Sequence, residues 1–337
     1  MSLPDLPLDE LRSYQPRLAS PADAAGFWAG TLADAAGFPV AATFERVATG
    51  LRLVDTFDVR FAGYGGHPIR GWLHLPAALP AALPANRPAS PAGPLPCVVQ
   101  YIGYGGGRGL AHENVFWAVA GYAHFIMDTR GQGAAGSVGD TPDPEPAGPS
   151  HPGFMTRGIL DPATYYYRRL YVDAVRAVDA ARSHDRVDGA RIVVAGGSQG
   201  GGLSLAVAGL RDDLSGVLAD VPYLSHFRRA ISVAERGPYL EIARYLKADR
   251  RRTDAVLRTL DYFDVAALVT AATAPALFSV ALQDDICPPS TVYAAYNAYG
   301  GPRQIVEYPF NDHEGGEGFQ RQAQLEWLAD LLGAGHA

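Results

Sequence analysis

The stretch RIVVAGGSQG at residues 191–200 decides the fold of this protein. It begins with an apolar run rich in β-branched residues, which is typical of a buried parallel strand, and ends in a glycine-rich turn around Ser198. A helical pattern follows at residues 199–210. A strand, a tight turn and a helix in this order predict one unit of an α/β fold.

The same alternation of apolar runs and helical patterns extends over most of the chain. Four other short apolar runs predict buried parallel strands, at residues 97–102, 124–127, 216–219 and 274–282. Longer helical patterns stand at residues 165–183 and 319–332. Together they predict an α/β fold with a doubly wound, mostly parallel sheet.

Two segments depart from this alternation. Residues 51–75 read as an antiparallel hairpin around a turn at residues 64–66, and this hairpin is expected at the N-terminal edge of the sheet. Residues 225–264 are rich in arginine and too long for a simple crossover, so they predict a helical insertion above the sheet. We therefore expect a single elaborated domain over residues 1–337.

Composition and charge limit the classes of partner. The 337 residues include 28 Lys and Arg against 35 Asp and Glu without a basic block, so neither nucleic acid nor a membrane surface is expected as a partner. The N-terminus has acids and prolines in place of a secretory signal, and no apolar run approaches the roughly 18 residues of a spanning helix. Cys97 and Cys287 stand in apolar contexts, which predicts buried, reduced thiols and fits a reducing, intracellular compartment.

Glycine and proline are distributed differently along the chain. Proline concentrates at residues 76–96 and 141–152, which predicts two exposed connecting loops. The clusters among the 38 glycines that bear on function instead follow directly after predicted strands. Because ligands of open α/β sheets bind beyond the carboxyl ends of the strands, these clusters mark the expected site.

Residues 196–200, GGSQG, have the form G-x-S-x-G between a strand and a helix. The flanking glycines allow a bend tight enough to hold the Ser198 hydroxyl above the sheet, next to the unpaired N–H groups of the helix N-terminus. The alternative is an ordinary glycine-rich turn. The strand before it and the helix after it favour Ser198 as a nucleophile.

A serine hydroxyl needs a histidine as a base, and in folds with this turn the order along the chain is serine, acid, histidine. His313 follows the strand-like residues 304–308 and precedes the final helix, so it is the predicted base. His336 is one residue from the C-terminus and is expected to fray.

The acid that orients the histidine must stand at the end of an intermediate strand. Asp284 and its neighbour Asp285 follow one predicted strand, and Asp220 closes the strand before it. Spacing favours Asp284 or Asp285 over Asp220 and does not choose between the first two.

The tetrahedral oxyanion needs two N–H donors. One donor is the residue after the nucleophile, Gln199, and the glycine-rich loop at residues 103–107 supplies the other, with the Tyr104 N–H favoured. A phosphate cradle is the rival interpretation of this loop, but the chain has no G-x-x-x-x-G-K-[ST] motif.

Two further motifs point to cofactors and are rejected. Residues 131–136 read G-x-G-x-x-G but run into a proline-rich segment, whereas a dinucleotide site needs a helix there. His313-Glu314 begins like H-E-x-x-H, but Glu317 stands where the second histidine is required. We therefore predict no cofactor and no metal site. Arg130 is interpreted as a buried partner of a carboxylate that fixes the glycine-rich loops, in preference to a substrate ligand.

Three motifs in order resemble the signature of the acetyl xylan esterase/cephalosporin C deacetylase family, carbohydrate esterase family seven: Arg130-Gly131-Gln132, Gly196-Gly197-Ser198-Gln199-Gly200 and His313-Glu314. Residues 1–11, 158–161, 164–168, 260–264 and 287–297 are similar as well. The likeness covers nearly the whole chain.

This resemblance implies an α/β-hydrolase fold in which Ser198 is the nucleophile, Asp284 the acid, His313 the base, and Tyr104 and Gln199 the oxyanion donors. It also implies a cytoplasmic enzyme without a cofactor that deacetylates small acetylated sugars and cephalosporin C, assembled as a ring-like homo-hexamer with active sites facing an inner cavity. Two departures bear on access to the pocket: residues 76–96 look longer than the family loop, and Gly105 stands where an asparagine is common.

The sequence thus predicts a serine esterase that acts on small acetylated substrates, including xylo-oligosaccharides, through an acyl-enzyme. One alternative is another small-ester hydrolase of the same fold, of the dienelactone hydrolase or peptidase type. The other is a non-catalytic relative that binds a small molecule or a partner. The presence of a serine, an acid and a histidine in the required order argues against the second.

Overall fold

The computed structural model describes residues 5–77, 93–144, 148 and 150–333. Within these residues lie nine strands: β1 (Thr43–Val47), β2 (Val54–Ala62), β3 (Pro68–Pro76), β4 (Leu95–Tyr101), β5 (Ala123–Met127), β6 (Val187–Gly197), β7 (Gly216–Asp220), β8 (Ala276–Ala281) and β9 (Arg303–Tyr308). They form one sheet in the spatial order β1-β2-β3-β5-β4-β6-β7-β8-β9. From β5 through β4 to β9 every pairing is parallel, and the pairings from β1 through β3 to β5 are antiparallel. The mostly parallel sheet with an antiparallel N-terminal edge is the one predicted.

Helices cover both faces of the sheet. Those in the described part of the chain are α1 (Leu8–Arg12), α2 (Ala24–Ala36), α3 (Phe116–Val119), α4 (Tyr166–Arg182), α5 (Gln199–Leu210), α6 (Phe227–Val233), α7 (Tyr239–Ala248), α8 (Thr253–Leu260), α9 (Val265–Leu268), α10 (Pro289–Ala298) and α11 (Glu317–Leu332). Successive residues of a strand face opposite layers. Accordingly, Val193 of β6 packs in a cluster with Trp117 of α3 and Leu328 of α11, while Val194 belongs to the larger core with Leu205 of α5.

The long crossover between β7 and β8 lies at the carboxyl edge of the sheet. Its residues 225–264 contain α6, α7 and α8, in the segment where the sequence predicts a helical insertion. None of the helices among the described residues is both long and apolar enough to cross a membrane.

The N-terminal region holds elements that the sequence patterns did not indicate. Helix α2 is rich in alanine and glycine, and β1 is a short, mostly exposed strand, so neither has a clear apolar period. Two aromatic residues help to hold helix α2. Trp28 stacks on Tyr171 with ring centroids 5.6 Å apart and donates a hydrogen bond to the Tyr262 carbonyl at 2.8 Å, and Phe27 packs on the Tyr262 ring at 5.0 Å. Most of the proline-rich segment 76–96, as well as His336, lies outside the described residues.

Candidate active site

Ser198 occupies the turn between β6 and α5 in a strained backbone conformation, with φ 55° and ψ −120°. A positive φ is costly for a residue with a side chain and persists only where the surroundings impose it. Here the Ser198 N–H donates to the Asp220 carbonyl at 2.9 Å, and the Ser198 carbonyl accepts from the Tyr223 N–H at 2.9 Å. These two bonds fix the turn from the neighbouring strand end and present Ser198 to a cleft.

The glycines on either side of Ser198 allow the turn to be this tight. A Cβ at Gly200 would lie 2.2 Å from the Tyr101 carbonyl oxygen, and one at Gly196 would lie 2.4 Å from the Gly200 backbone. Both distances are well inside van der Waals contact. Helix α5 therefore begins directly against β4 only because these positions lack side chains.

The predicted base and one of the predicted acids lie in contact. His313 Nδ1 is 2.8 Å from Asp284 Oδ2, although the two residues are 29 positions apart in the chain. Asp284 is fully buried, and its Oδ1 accepts hydrogen bonds from the Ile286 and Cys287 N–H groups at 2.9 and 2.8 Å. Because an ionised carboxylate only accepts, the proton lies on His313 Nδ1 and leaves Nε2 able to act as a base.

Asp285 has a different partner. Its carboxylate accepts from Arg236 Nε at 2.7 Å, and the same guanidinium reaches Asp312 at 2.6 Å. Asp312 in turn accepts the His313 N–H at 2.7 Å. Arg236 thereby ties the segment before α7 to the loops that carry Asp284 and His313.

Asp220 is also engaged elsewhere. Its two carboxylate oxygens accept hydrogen bonds from Gln320 Nε2 at 2.7 Å and Gln324 Nε2 at 2.6 Å, both on α11. Burial raises the pKa of Asp220 to about 6, against the opposing effect of these two amides. Of the three acids that spacing allowed, only Asp284 contacts His313.

Cys287 lies within the candidate active site, a position that the sequence analysis did not predict. The thiol is buried, as predicted, but it stands beside the Ser198 hydroxyl. Burial raises the pKa of Cys287 well above its ordinary value, the Asp284 charge acts in the same direction, and the Ser198 hydroxyl opposes them. Asp284, Cys287 and His313 each place one potential metal-ligating atom within 4.8 Å of the other two, a spacing that can hold a metal ion. Asp284 and His313, however, are already hydrogen-bonded to each other. In the sequence, the sign that Cys287 lies near the site is its position three residues after Asp284.

The two predicted oxyanion donors are backbone amides: Gln199 follows Ser198 directly in the chain, and Tyr104 lines the same cavity as Ser198. Within the described ranges, neither the Gln199 N–H nor the Tyr104 N–H donates to a protein acceptor. The Tyr104 side chain is held firmly: its hydroxyl donates to the Glu241 carboxylate of α7 at 2.8 Å and accepts from the Phe154 N–H at 2.8 Å. Both amides are thus available, and one sits on an anchored residue.

A buried pair of amides joins the two donor segments. The side chains of Gln132 and Gln199 form reciprocal hydrogen bonds at 3.0 and 3.2 Å. Gln132 also accepts from the Gly105 N–H at 2.7 Å, and Gln199 donates to the Ile102 carbonyl at 3.1 Å. In the sequence, Gln132 stands in the Arg130-Gly131-Gln132 motif, and its supporting role depends on a contact with Gln199, 67 positions further along the chain.

Arg130 is a buried structural residue, as the sequence interpretation favoured. Its guanidinium donates to Asp173 of α4 at 2.7 Å and to Asp143 at 3.2 Å. These ion pairs connect the glycine-rich segment 131–136 to the core helix α4, so Arg130 does not face the cleft.

The cleft itself has a volume of about 1250 Å³. Ser198, His313 and Tyr104 all line it, together with residues from α3, α11 and the segment before α7. The carboxyl edge of the sheet therefore gathers a strained serine, a histidine held by a buried carboxylate and free backbone amides around one cavity. This arrangement can activate a hydroxyl and stabilise an oxyanion.

The chain matches the family model for acetyl xylan esterase (AXE1) over residues 1–331. Among curated proteins, the acetyl esterase Axe7A of Xylanibacter ruminicola is 27% identical over 305 residues, which cover 89% of this chain. The chain spans 65% of the length of that relative.

Solved structures give the same family. The acetyl xylan esterase from Paenibacillus sp. R4 is 38% identical, with a TM-score of 0.85, covering 96% of this chain and 99% of that one. Acetyl xylan esterase 1 from Thermoanaerobacterium sp. JW/SL YS485 is 27% identical, with a TM-score of 0.82, covering 97% and 99%. The acylaminoacyl peptidase of Pyrococcus horikoshii, at 14% identity and a TM-score of 0.56 over 85% of this chain and 42% of that one, shares the fold alone.

The family model spans nearly the whole sequence, and the likeness to a solved member extends over 96% of the chain. The resemblance inferred from the motifs is confirmed, and so is the α/β-hydrolase fold that it implied. The members named here are acetyl esterases and acetyl xylan esterases, which hydrolyse carboxylic esters. This chain belongs to the acetyl xylan esterase family.

Proposed function

We propose that this protein is a serine esterase that removes acetyl groups from small acetylated carbohydrates such as xylo-oligosaccharides, and from cephalosporin C. The observation that carries the proposal is the 2.8 Å contact of His313 with Asp284 in the cleft that Ser198 lines. Membership of the acetyl xylan esterase family supports an acetyl ester as the bond that is cleaved.

In the first half of the reaction, Ser198 Oγ attacks the acetyl carbonyl carbon while His313 Nε2 takes the hydroxyl proton. Asp284 holds the imidazole and stabilises its positive charge without taking the proton. The N–H groups of Gln199 and Tyr104 stabilise the oxyanion. The ester C–O bond then breaks, and His313 delivers its proton to the departing alcohol oxygen.

In the second half, water attacks the acetyl group on Ser198. His313 takes a proton from the water and returns it to Ser198 Oγ as the acyl bond breaks, which releases acetate. These steps use side chains, backbone amides and water, so the proposed reaction calls for no cofactor or metal.

The test is acetate release from 4-nitrophenyl acetate and from acetylated xylo-oligosaccharides. Ser198→Ala is expected to lower kcat by about 10⁴-fold or more, since the nucleophile is lost. Ser232→Ala, at an exposed serine of α6, serves as the matched control and should retain full activity. Equal rates for wild type and Ser198→Ala would refute the assignment.

An acyl-length profile tests the substrate class. A pocket sized for an acetyl group should lose activity steeply from acetyl to butyryl esters, by roughly tenfold or more. Comparable rates with long acyl chains would instead favour another small-ester hydrolase of this fold.

We also propose a cytoplasmic homo-hexamer without nucleic acid or membrane partners, as the family resemblance implies. Phe310 and Phe319 are 87% and 80% exposed in the single chain. They support association between copies of the chain, because exposed apolar side chains often mark protein–protein interfaces. Light scattering tests the assembly, and a particle of 35.8 kDa, the mass of one chain, would contradict it.

A further inference from the structure

The cleft beside Ser198 has two sides of different chemistry. Tyr104, Pro238 and Ile286 line one side, which is largely apolar. The other side lies between α3 and α11, and its polar lining residues include Gln100, Asn114, Asp220, Gln320, Arg321 and Gln324. At about 1250 Å³ the cleft exceeds the roughly 300–1000 Å³ of a typical small-molecule pocket and far exceeds an acetyl group.

Helix α11 turns a polar stripe toward this cavity. Glu317, Gln320, Arg321 and Gln324 follow the spacing i, i+3, i+4, i+7 of one helix face, and all four line the cleft. Gln320 and Gln324 are only 2% and 4% exposed, whereas Phe319 beside them is 80% exposed. A helix on a protein surface ordinarily buries its apolar stripe, so this inward polar face is not explained by core packing.

Asp220 is the centre of that polar face and has no part in the reaction steps. Gln320 and Gln324 each give it one hydrogen bond, and the Ser279 side chain gives a third, so a carboxylate with up to four acceptor positions can still take a further donor. Removing a carboxylate from water costs free energy unless hydrogen bonds or ion pairs compensate for the loss of solvation. The Gln320 oxygen already accepts from the Tyr308 hydroxyl at 2.9 Å, so the Gln324 amide and the Asp220 carboxylate are the groups at this cavity wall that can bind a ligand hydroxyl.

The position of His313 indicates which half of the ester, acetyl or alcohol, binds on the polar side of the cleft. His313 must hand its proton to the departing alcohol oxygen, so the alcohol lies on the side of the cleft where His313 stands. The chain continues directly from His313 into Glu314 and α11, so the polar side begins there. A sugar alcohol brings several hydroxyls that need partners once water is displaced, and the aromatic rings of Phe116 and Trp117 supply apolar surface for its ring faces.

We propose that the channel between α3 and α11 is the subsite for the sugar half of the acetyl ester, with Asp220, Gln324 and Arg321 as its specificity-determining residues. This inference rests on the proposed esterase function. The acetyl group then occupies the side formed by Tyr104, Pro238 and Ile286.

Arg321→Ala is the test variant, because Arg321 is exposed and stands over the Phe116 ring at 5.3 Å, so its loss should leave the fold intact. We expect kcat/KM for acetylated xylobiose to fall about tenfold, the usual cost of a hydrogen bond from a charged group. For ethyl acetate, which has no sugar, kcat/KM should stay within about twofold by the same argument. Gln322→Ala is the matched control: it is the next residue of α11, and its side chain is exposed and bonded to Glu326.

Titration of xylobiose into the Ser198→Ala protein, with and without Arg321→Ala, measures the subsite independently of catalysis. Weaker xylobiose binding and a selective loss on the sugar ester support the proposal. Equal losses on both esters, or no loss on either together with unchanged xylobiose binding, would overturn it. If the wild type hydrolyses neither ester, the esterase function fails and the xylobiose titration alone decides the subsite.

Discussion

Asp284 and Asp285 are neighbours in the chain, yet they serve different contacts. The Asp284 carboxylate turns inward, where two backbone N–H groups fix one oxygen and His313 takes the other. Asp285 turns outward to the partly exposed Arg236. Burying a carboxylate is costly unless it is hydrogen-bonded, and Asp284 has three donors.

Replacing these two acids separates catalysis from loop attachment. Asp284→Asn is expected to lower kcat by about 10³–10⁴-fold, because an amide at this position favours the wrong tautomer of His313. Asp285→Asn should change kcat by at most about fivefold, in keeping with the small worth of an exposed ion pair. The measurement is acetate release at saturating substrate, and a larger loss from Asp285→Asn would place it in the triad instead.

At the level of elements, α7 supports the proposed oxyanion site from outside the sheet. Glu241 of α7 accepts the Tyr104 hydroxyl and also the Met155 N–H at 3.2 Å. Burial raises the pKa of Tyr104 above its ordinary value, and the adjacent Glu241 charge acts in the same direction, so the hydroxyl stays protonated as a donor. The insertion is therefore coupled to the loop that presents the Tyr104 N–H.

Tyr104→Phe tests this coupling, because it keeps the backbone N–H and removes only the hydroxyl anchor. We expect kcat to fall about tenfold with KM little changed, a fraction of the 10²–10³-fold cost of losing an oxyanion donor outright. Tyr262→Phe, whose hydroxyl bonds to Asp23 in an exposed setting, is the control and should leave kcat unchanged. An unaltered kcat in Tyr104→Phe would show that the anchor does not position the donor.

Long periodic elements were predicted well and weakly patterned ones were not. The expected helices at residues 165–183, 199–210 and 319–332 correspond to α4, α5 and α11 within two residues at each end. Helix α2 and strand β1 gain their stability from partners far along the chain, such as the Tyr171 ring under Trp28. Because this stability comes from tertiary packing and not from local propensity, the sequence of the segment alone does not predict the element.

At the scale of the whole molecule, buried histidines make stability depend on pH. Burial lowers the pKa of His74 to about 4 and that of His124 well below its ordinary value, and His226 is lowered to about 4. The unfolded chain takes up protons at these sites below about pH 6.5, where the folded chain does not, so acidification from there destabilises the fold. Asp220 and Asp264, with pKa values raised to about 6 by burial, act in the opposite direction between about pH 4 and pH 6.

His74→Gln isolates one of these contributions. Between pH 7 and pH 5 the wild type should lose about 2 kcal/mol more free energy of unfolding than this variant, since each unit of pKa shift is worth about 1.4 kcal/mol. Urea unfolding at the two pH values measures the difference, and the exposed His112→Gln provides the control. Identical pH dependence in wild type and His74→Gln would contradict the assignment.

The sequence by itself determined the alternation of strands and helices and the family, and it predicted Ser198 as the nucleophile and His313 as the base, because these depend on local pattern, chain order and short motifs. Spacing left the acid open and the family resemblance implied Asp284. Only the tertiary structure shows that Asp284 contacts His313, that Cys287 stands beside Ser198, and that α11 lays Gln320 and Gln324 against Asp220. These contacts join residues up to 104 positions apart. They arise because parallel strands bring their carboxyl ends to one edge, where side chains from distant loops converge on a single cleft.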